Sequence, residues 1–360
     1  MMSVVIRRVQ QHPLDLLLFF FPLAILGKVI AYNPIWIFAL SAIGVIPLAG
    51  YIGEATEALV THTSPRLGGL LNATLGNAAE LIITIVAIRE GLLELVKASI
   101  TGSILGNLLL VMGTSFLLGG LKNGLQSFHK KQATRNAILL ILAVLALLIP
   151  SVLSHYIGQD NDPRVESLSI GVAGIMIILY ILSLIYSFKP DNSPLLPDKN
   201  PKSIEKTSWS LYKSITVLAG ATIGVVILSE LLVSTVEPVV TKLGISEFFL
   251  GIILIPIIGN VAEHSIAVSS AIRDKMELSV EISISSSLQI ALFVAPVLVF
   301  LSLFLGHPLQ LIFSSFELLA LIAGVVITAL VSADGESNWL EGAELLAVYL
   351  ILGLAFFLLP

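Results

Sequence analysis

The chain has 360 residues, 56% of them hydrophobic and only 12% charged, with 19 Lys and Arg against 24 Asp and Glu. A soluble domain carries about 25% charged residues; half that share, with a mean hydropathy of +0.98, excludes water as the main solvent. Strand-period alternation is absent, which argues against an outer-membrane barrel, and the lack of cysteine removes disulfides, thiolate metal sites and cysteine nucleophiles.

Apolar runs near 20 residues, the length that crosses about 30 Å of hydrocarbon, recur from end to end. They predict an all-α polytopic membrane protein with about eleven crossings. These lie near 14–31, 35–60, 66–88, 91–120, 134–155, 166–188, 210–236, 245–271, 276–305, 310–332 and 338–359. The first run, Leu14 to Ile30, has no small-residue cleavage site and reads as a retained helix rather than a signal peptide. The longest polar connector, Lys189 to Ser208, contains Pro190, Pro194, Pro197 and Pro201 and divides the chain near its middle. The expected organisation is an extra helix at 1–34, a first five-helix repeat at 35–188, a cytoplasmic connector at 189–209 and a second five-helix repeat at 210–360.

Basic residues orient the chain. The side holding the N-terminus and every second loop carries 14 of them, among them Arg7, Arg8, Arg66, Lys131, Arg135 and Lys189. The other side carries 5, namely Lys28, Arg89, Lys97, Arg164 and Lys242. The bias puts the N-terminus and the central connector in the cytoplasm and the C-terminus outside.

Two short segments half a chain apart are nearly identical: Gly76-Asn77-Ala78-Ala79-Glu80 in the third span and Gly259-Asn260-Val261-Ala262-Glu263 in the eighth. A carboxylate in hydrocarbon costs several kcal/mol and is functional by default. The repeat continues, with Ala87-Ile88-Arg89-Glu90 matching Ala271-Ile272-Arg273-Asp274, and Ser99 to Ser103 matching Ser283 to Ser287, if one residue is inserted in the second copy. An odd number of crossings separates the copies, so they traverse the bilayer in opposite directions. That is the inverted-repeat arrangement of many secondary transporters, with a site near the midplane.

On a helix, positions i and i+3 share a face, so Asn77 with Glu80, and Asn260 with Glu263, each present an amide oxygen and a carboxylate to one side. Hard divalent cations want such ligands; calcium takes about 6–8 oxygens. Backbone carbonyls at helix breaks near Gly76 and Gly259, with Pro256 beside the second, are expected to supply more. The following helices offer Ser99, Ser103 and Asn107, and Ser283, Ser287 and Gln289. Two carboxylates packed together in low dielectric repel one another. A cation holds both ionised and an empty site favours protons, so cation and proton compete for the same oxygens.

Other polar residues weigh less. No Lys or Arg lies in the apolar interior as a partner for either motif glutamate, and most of the serines read as helix packing. His264 turns away from Glu263 by helical geometry and reads as a packed or interfacial histidine. Glu57, near the end of the second span, and Glu230, within the seventh, sit in similar contexts and are expected at the mouths of the pathway, Glu230 the deeper. Glu317 has no assigned role, and helix capping accounts for Asp334.

These residues resemble the calcium/proton exchangers of the calcium/cation antiporter superfamily. The resemblance is carried by Leu71 to Ile82, Leu254 to His264, Gly102 to Leu110, Ser286 to Val294 and the C-terminal Asp334 to Gly342, and it covers nearly the whole chain. It implies an extra helix followed by two inverted five-helix repeats. It makes Glu80 and Glu263 the calcium-binding, proton-exchanging glutamates, with Asn77, Asn260 and Gln289 beside them and Glu57 and Glu230 in the gating helices. The connector, with Asp191, Asp198 and Glu205 against Lys189, Lys199, Lys202 and Lys206, lacks the acidic helix of fungal and plant relatives. Only about a dozen residues precede the first span, and this compact form points to a prokaryotic plasma membrane. Asn-Ala-Ala-Glu at the first motif departs from the Thr-Ser-x-Pro-Glu of the sodium-coupled branch, which disfavours sodium as counter-ion.

The expected function is therefore export of calcium in exchange for protons by alternating access, with Glu80, Glu263, Asn77, Asn260, Ser103, Ser287 and Gln289 at the cation and Glu57 and Glu230 as gating carboxylates. A sodium-driven calcium exchanger is the alternative. A cation channel ranks lower because no filter loop is visible, and an enzyme lower still because no nucleophile–base set accompanies the carboxylates. No cofactor and no nucleic acid are expected; the partners are calcium and protons as substrates, the lipid bilayer, and a homo-oligomer as a further association.

Overall fold

A computed structural model describes residues 13–157, 162–187 and 209–359; the connector Lys189 to Ser208 lies outside the described residues. The expectation of an all-α membrane protein holds. A short 3₁₀ stretch, Pro13–Phe19, leads into α1 (Phe20–Val29). The chain continues with α2 (Pro34–Val60), α3 (Pro65–Leu75), α4 (Ala78–Arg89), α5 (Leu93–Asn123), α6 (Lys130–Ile157) and α7 (Pro163–Ser187). Beyond the connector come α8 (Leu211–Val233), α9 (Val236–Leu243), α10 (Glu247–Ile272), α11 (Met276–Leu305), α12 (Ser315–Val331) and α13 (Trp339–Leu358). Eight of these are long and apolar enough to cross a membrane, and α12 is a shorter apolar helix.

Three expected spans differ in detail, each for a local reason. The third divides into α3 and α4 at Gly76-Asn77, where Asn77 takes φ −96°, ψ 19°. The seventh ends at Val233, and Val236–Leu243 forms a separate short helix stopped by Gly244 in the left-handed conformation. The tenth begins at Ser315 rather than 310 because Ser314 and Glu317 form a capping box there. The stretch before it is extended and buried, so its amides need partners. Ser302 accepts from Leu309 N at 2.7 Å, Ser169 from Leu311 N at 3.1 Å and Ser151 from Phe313 N at 3.0 Å. Three serines from three helices thus do what a helix would otherwise do for itself.

At the end with the basic loops, two short strands, β1 (Gln126–Ser127) and β2 (Glu336–Ser337), pair antiparallel and tie the α5–α6 loop to the α12–α13 loop. Gln126 Nε2 donates to Ala271 O at 3.1 Å and to Asp274 Oδ1 at 2.8 Å, and Asn123 Nδ2 donates to Ala271 O at 3.1 Å. These amides satisfy carbonyls that the C-terminus of α10 leaves open. Asp334 accepts from Glu336 N and shapes the turn before β2, whereas the cap of α13 is Asn338 with Glu341.

The core is continuous across both halves. α5 and α10 approach backbone to backbone: a Cβ on Gly102 would lie 2.0 Å from Ile252 O. Pro256 has no amide hydrogen to give Ile252 O, and α10 relaxes into a π turn over Leu250–Leu254 just before it. Gly102→Ala should therefore force the two helices apart and cost about 1–3 kcal/mol, as overpacking of a close contact does. Thermal unfolding in detergent checks this through a lowered melting temperature.

Candidate functional site

α4 and α10 carry the two motifs and meet in the middle of the molecule, with α5 and α11 on either side. Glu80 is 3% exposed, Asn77 1% and Asn260 2%. Each glutamate lies against the other motif's glycine. A Cβ on Gly259 would stand 2.8 Å from Glu80 Cγ, and a Cβ on Gly76 would stand 3.4 Å from Glu263 Oε1. At Gly259 a side chain would press on the stem of Glu80, whereas at Gly76 the tight neighbour is Asn72 O, 2.7 Å from a Cβ, and the Glu263 carboxylate is at ordinary contact distance. The expected helix break exists at Gly76-Asn77 but not at Gly259, where α10 runs on and the π turn upstream has already absorbed the missing donor of Pro256.

Neighbouring helices supply the rest. Glu80 Oε1 accepts from Ser103 Oγ of α5 and from Asn260 Nδ2. Asn77 Nδ2 donates to Gln289 Oε1 of α11 at 2.6 Å. Glu263 Oε2 accepts from Ser286 Oγ at 3.0 Å, Asn107 Nδ2 donates to Ser286 Oγ at 3.0 Å, and His264 Nε2 lies 3.1 Å from Asn107 Oδ1. Two buried acceptor oxygens, Glu80 Oε2 and Asn77 Oδ1, have no hydrogen-bond partner among the described residues. Among the described residues no three His, Asp or Glu side chains converge. The oxygens gathered here belong to two carboxylates with amides and hydroxyls around them, the ligand types that suit a hard cation.

The sequence-predicted residues fall into three hydrogen-bonded groups: Glu80 with Ser103 and Asn260, Asn77 with Gln289, and Glu263 with Ser286. Ser287 joins none of them: its hydroxyl is given to main-chain carbonyls, Ser283 O at 2.9 Å and Ile104 O of α5 at 3.5 Å, and Ser286 takes its place. The reason is register. Gly91 and Asp274 both take positive φ, 78° and 61°. Leu92 N donates to Ala87 O as Lys275 N donates to Ser270 O, so the two copies align without the inserted residue. The signal was in the chain, since Glu80 to Ser103 and Glu263 to Ser286 are the same 23 residues apart. His264 and Asn107 were missed as a linked pair because their contact is between helices, out of reach of a helical wheel.

The expected gating carboxylates part company. Glu57 is exposed. Glu230 is not the deeper of the two: it is about half exposed and pairs with Arg89 Nη2 at 3.1 Å. The helix ends that carry them are alike, Thr61 N bonding Glu57 O as Ser234 N bonds Glu230 O. Glu317, 1% exposed, is fully occupied by the α12 capping box and Thr101 Oγ1. A cavity of about 840 Å³ runs from Lys131 and Arg135 at its rim, past Glu281 and Ser285, to Glu263, Ser286 and Gln289.

A family model described as "Sodium/calcium exchanger protein" matches residues 33–189 and 213–358. The chain belongs to this family. It is 43% identical to a protein of Aphanothece halophytica named "Ca(2+)/H(+) antiporter", over 96% of each chain. It is 44% identical to the "Ca(2+)/H(+) antiporter ChaA" of Bacillus subtilis, over 94% of this chain and 96% of that one. Among solved structures, native YfkE superposes with a TM-score of 0.84 at 42% identity, covering 96% of this chain and 100% of the other.

Because the Arg89–Glu230 pair is about half exposed, Arg89→Gln should change stability by less than about 1 kcal/mol, with the melting temperature as the check.

Proposed function

We propose that this protein is a secondary antiporter that moves calcium out of the cytosol in exchange for protons. The observation that carries the reading is the reciprocal placement of Glu80 and Glu263 over each other's motif glycine, beside the unpartnered acceptors Glu80 Oε2 and Asn77 Oδ1. A calcium ion held between the two carboxylates would draw further oxygens from Asn77, Asn260, Gln289 and main-chain carbonyls at the α3–α4 break. Ser103 and Ser286 hold the carboxylates in place by donating to one oxygen of each. When the ion leaves, two carboxylates in a water-poor interior repel and bind protons instead. Names of close relatives support calcium and protons as the pair.

The helices read as eleven crossings, with α3 and α4 together making the third, arranged as one extra helix and two inverted repeats. The rim of the cavity, bearing Lys131 and Arg135, is on the basic, cytoplasmic side, so this is a cytoplasm-open state. The N-terminus is cytoplasmic, the C-terminus is outside, and the membrane is the prokaryotic plasma membrane. Glu57 sits towards the cytoplasmic mouth; Glu230, tied to Arg89, sits at the outer one.

In proteoliposomes without sodium, an imposed pH gradient should drive calcium uptake, and an absolute need for sodium would reject proton coupling. Glu80→Gln and Glu263→Gln should each abolish exchange while leaving a monodisperse, cooperatively melting protein, since a neutral amide is cheaper to bury than a carboxylate. Normal exchange by either variant would overturn the site. Ser286→Ala should raise half-saturating calcium by about tenfold or more, the worth of one hydrogen bond to a charged group at about 1.5–3 kcal/mol, and Ser287→Ala should leave it unchanged.

A further inference from the structure

The two halves match in register yet differ in one packing contact. With the copies aligned without insertion, Gly251 and Ile252 of α10 correspond to Gly68 and Gly69 of α3. Leu95, Ala98 and Gly102 of α5 correspond to Leu278, Glu281 and Ser285 of α11. In the α5–α10 half these sets are pressed together: a Cβ on Gly251 would lie 2.7 Å from Ala98 Cβ, and one on Gly102 would strike Ile252 O. In the α3–α11 half they stand apart, and Gly69, Leu278, Glu281 and Ser285 all line the cavity. Gly68 faces α2 instead, where a Cβ would meet Val60 Cγ1 at 2.6 Å. One scaffold thus holds one closed and one open copy of the same contact, the form a two-state element takes.

The two copies are not chemically equal. The closed one joins Ala98 and a glycine. The open one would have to close over Glu281 and Ser285. Glu281 accepts one hydrogen bond, from Gln132 Nε2 at 3.3 Å. The charged and titratable groups around it are Lys131 and Arg135 of α6, with the Arg135 guanidinium 5.2 Å from the Tyr186 ring of α7, Glu277 on its own helix, already paired with His129 at 3.0 Å, and Glu263 deeper in the cavity. Among the described residues no cation is in a salt bridge with Glu281. A carboxylate stripped of water without a paired cation is neutralised rather than buried ionised.

We propose that Glu281 is a gating carboxylate: α3 closes over α11, bringing Gly69 against Ser285, only when Glu281 has taken up a proton. That proton comes from the water of the cavity as the contact closes and returns there as it reopens. It is not carried across and does not alter the number of protons exchanged per cation. The inference rests on the antiporter reading only in needing a second, outward-open state.

The chain has no cysteine, so Gly69→Cys with Ser285→Cys can be introduced into the full-length protein in proteoliposomes and oxidised. The expected result is a disulfide that stops calcium flux reversibly on reduction. Adding Glu281→Gln should speed cross-linking by at least about tenfold near pH 8, with the ratio to the parent pair falling towards one near pH 5 as Glu281 itself becomes protonated. Thiol ionisation cancels in that ratio. If Gly69→Cys impairs folding, maleimide labelling of the single Ser285→Cys variant serves instead, with Glu281→Gln slowing it near pH 8. A flux-competent pair that never cross-links, or a ratio independent of pH, overturns the proposal. Cross-linking with the expected ratio but no proton-driven calcium flux in the parent chain would instead overturn the antiporter reading and leave the gate standing.

Discussion

The molecule is arranged around holding two carboxylates close together in its middle, Glu80 buried and Glu263 on the lining of the cavity. Such a pair is tolerated only if each oxygen has a donor, a cation or a proton. The fold meets this by crossing α4 and α10 at glycines. Glu80 then reaches Asn260 and Ser103, and Glu263 reaches Ser286. What it leaves unmet, at Glu80 Oε2 and Asn77 Oδ1, is the part a substrate can satisfy. A site completed by its own side chains would bind nothing; one that left both carboxylates bare would not hold together.

The backbone around the site departs from plain α-helix where the chemistry needs room. α4 begins at a break, and π turns interrupt α5, α10 and α11 at Gly106–Val111, Leu250–Leu254 and Ile290–Val294. Each lies within about two turns of a residue in the network, as such bulges do at functional sites. Asn107 sits in the first of them, and from there its amide joins His264 to Ser286. The serines that sequence reading takes for packing divide accordingly. Some bond back to their own helix, such as Ser283 and Ser287. Others, such as Ser151, Ser169 and Ser302, carry the amides of a buried extended segment.

Internal duplication gives the protein a built-in comparison. Where the halves agree, as in the Glu-to-Ser spacing and the turns at Gly91 and Asp274, the geometry serves both. Where they differ, as at Ala98 and Glu281, the difference falls between a closed contact and an open cavity. Of two matched surfaces, one is packed and the other lines a cavity.

Composition and apolar run length were enough to read an all-helical membrane protein, because a bilayer demands continuous apolar segments and internally satisfied backbone. The duplicated Gly-Asn-x-Ala-Glu pair was enough to single out both glutamates and both asparagines as candidates, since a charge in hydrocarbon is costly to keep twice. Tertiary structure decided what helical periodicity cannot carry. It chose Ser286 over Ser287, since one residue of register turns a side chain by about 100°. It drew His264 into the network through a helix far away in sequence, and it tied Glu230 to Arg89 at the surface. It also packed one copy of a repeated contact and left the other lining a cavity, because that depends on which half-helix leans on which neighbour, and the matching segments of the two halves are nearly alike.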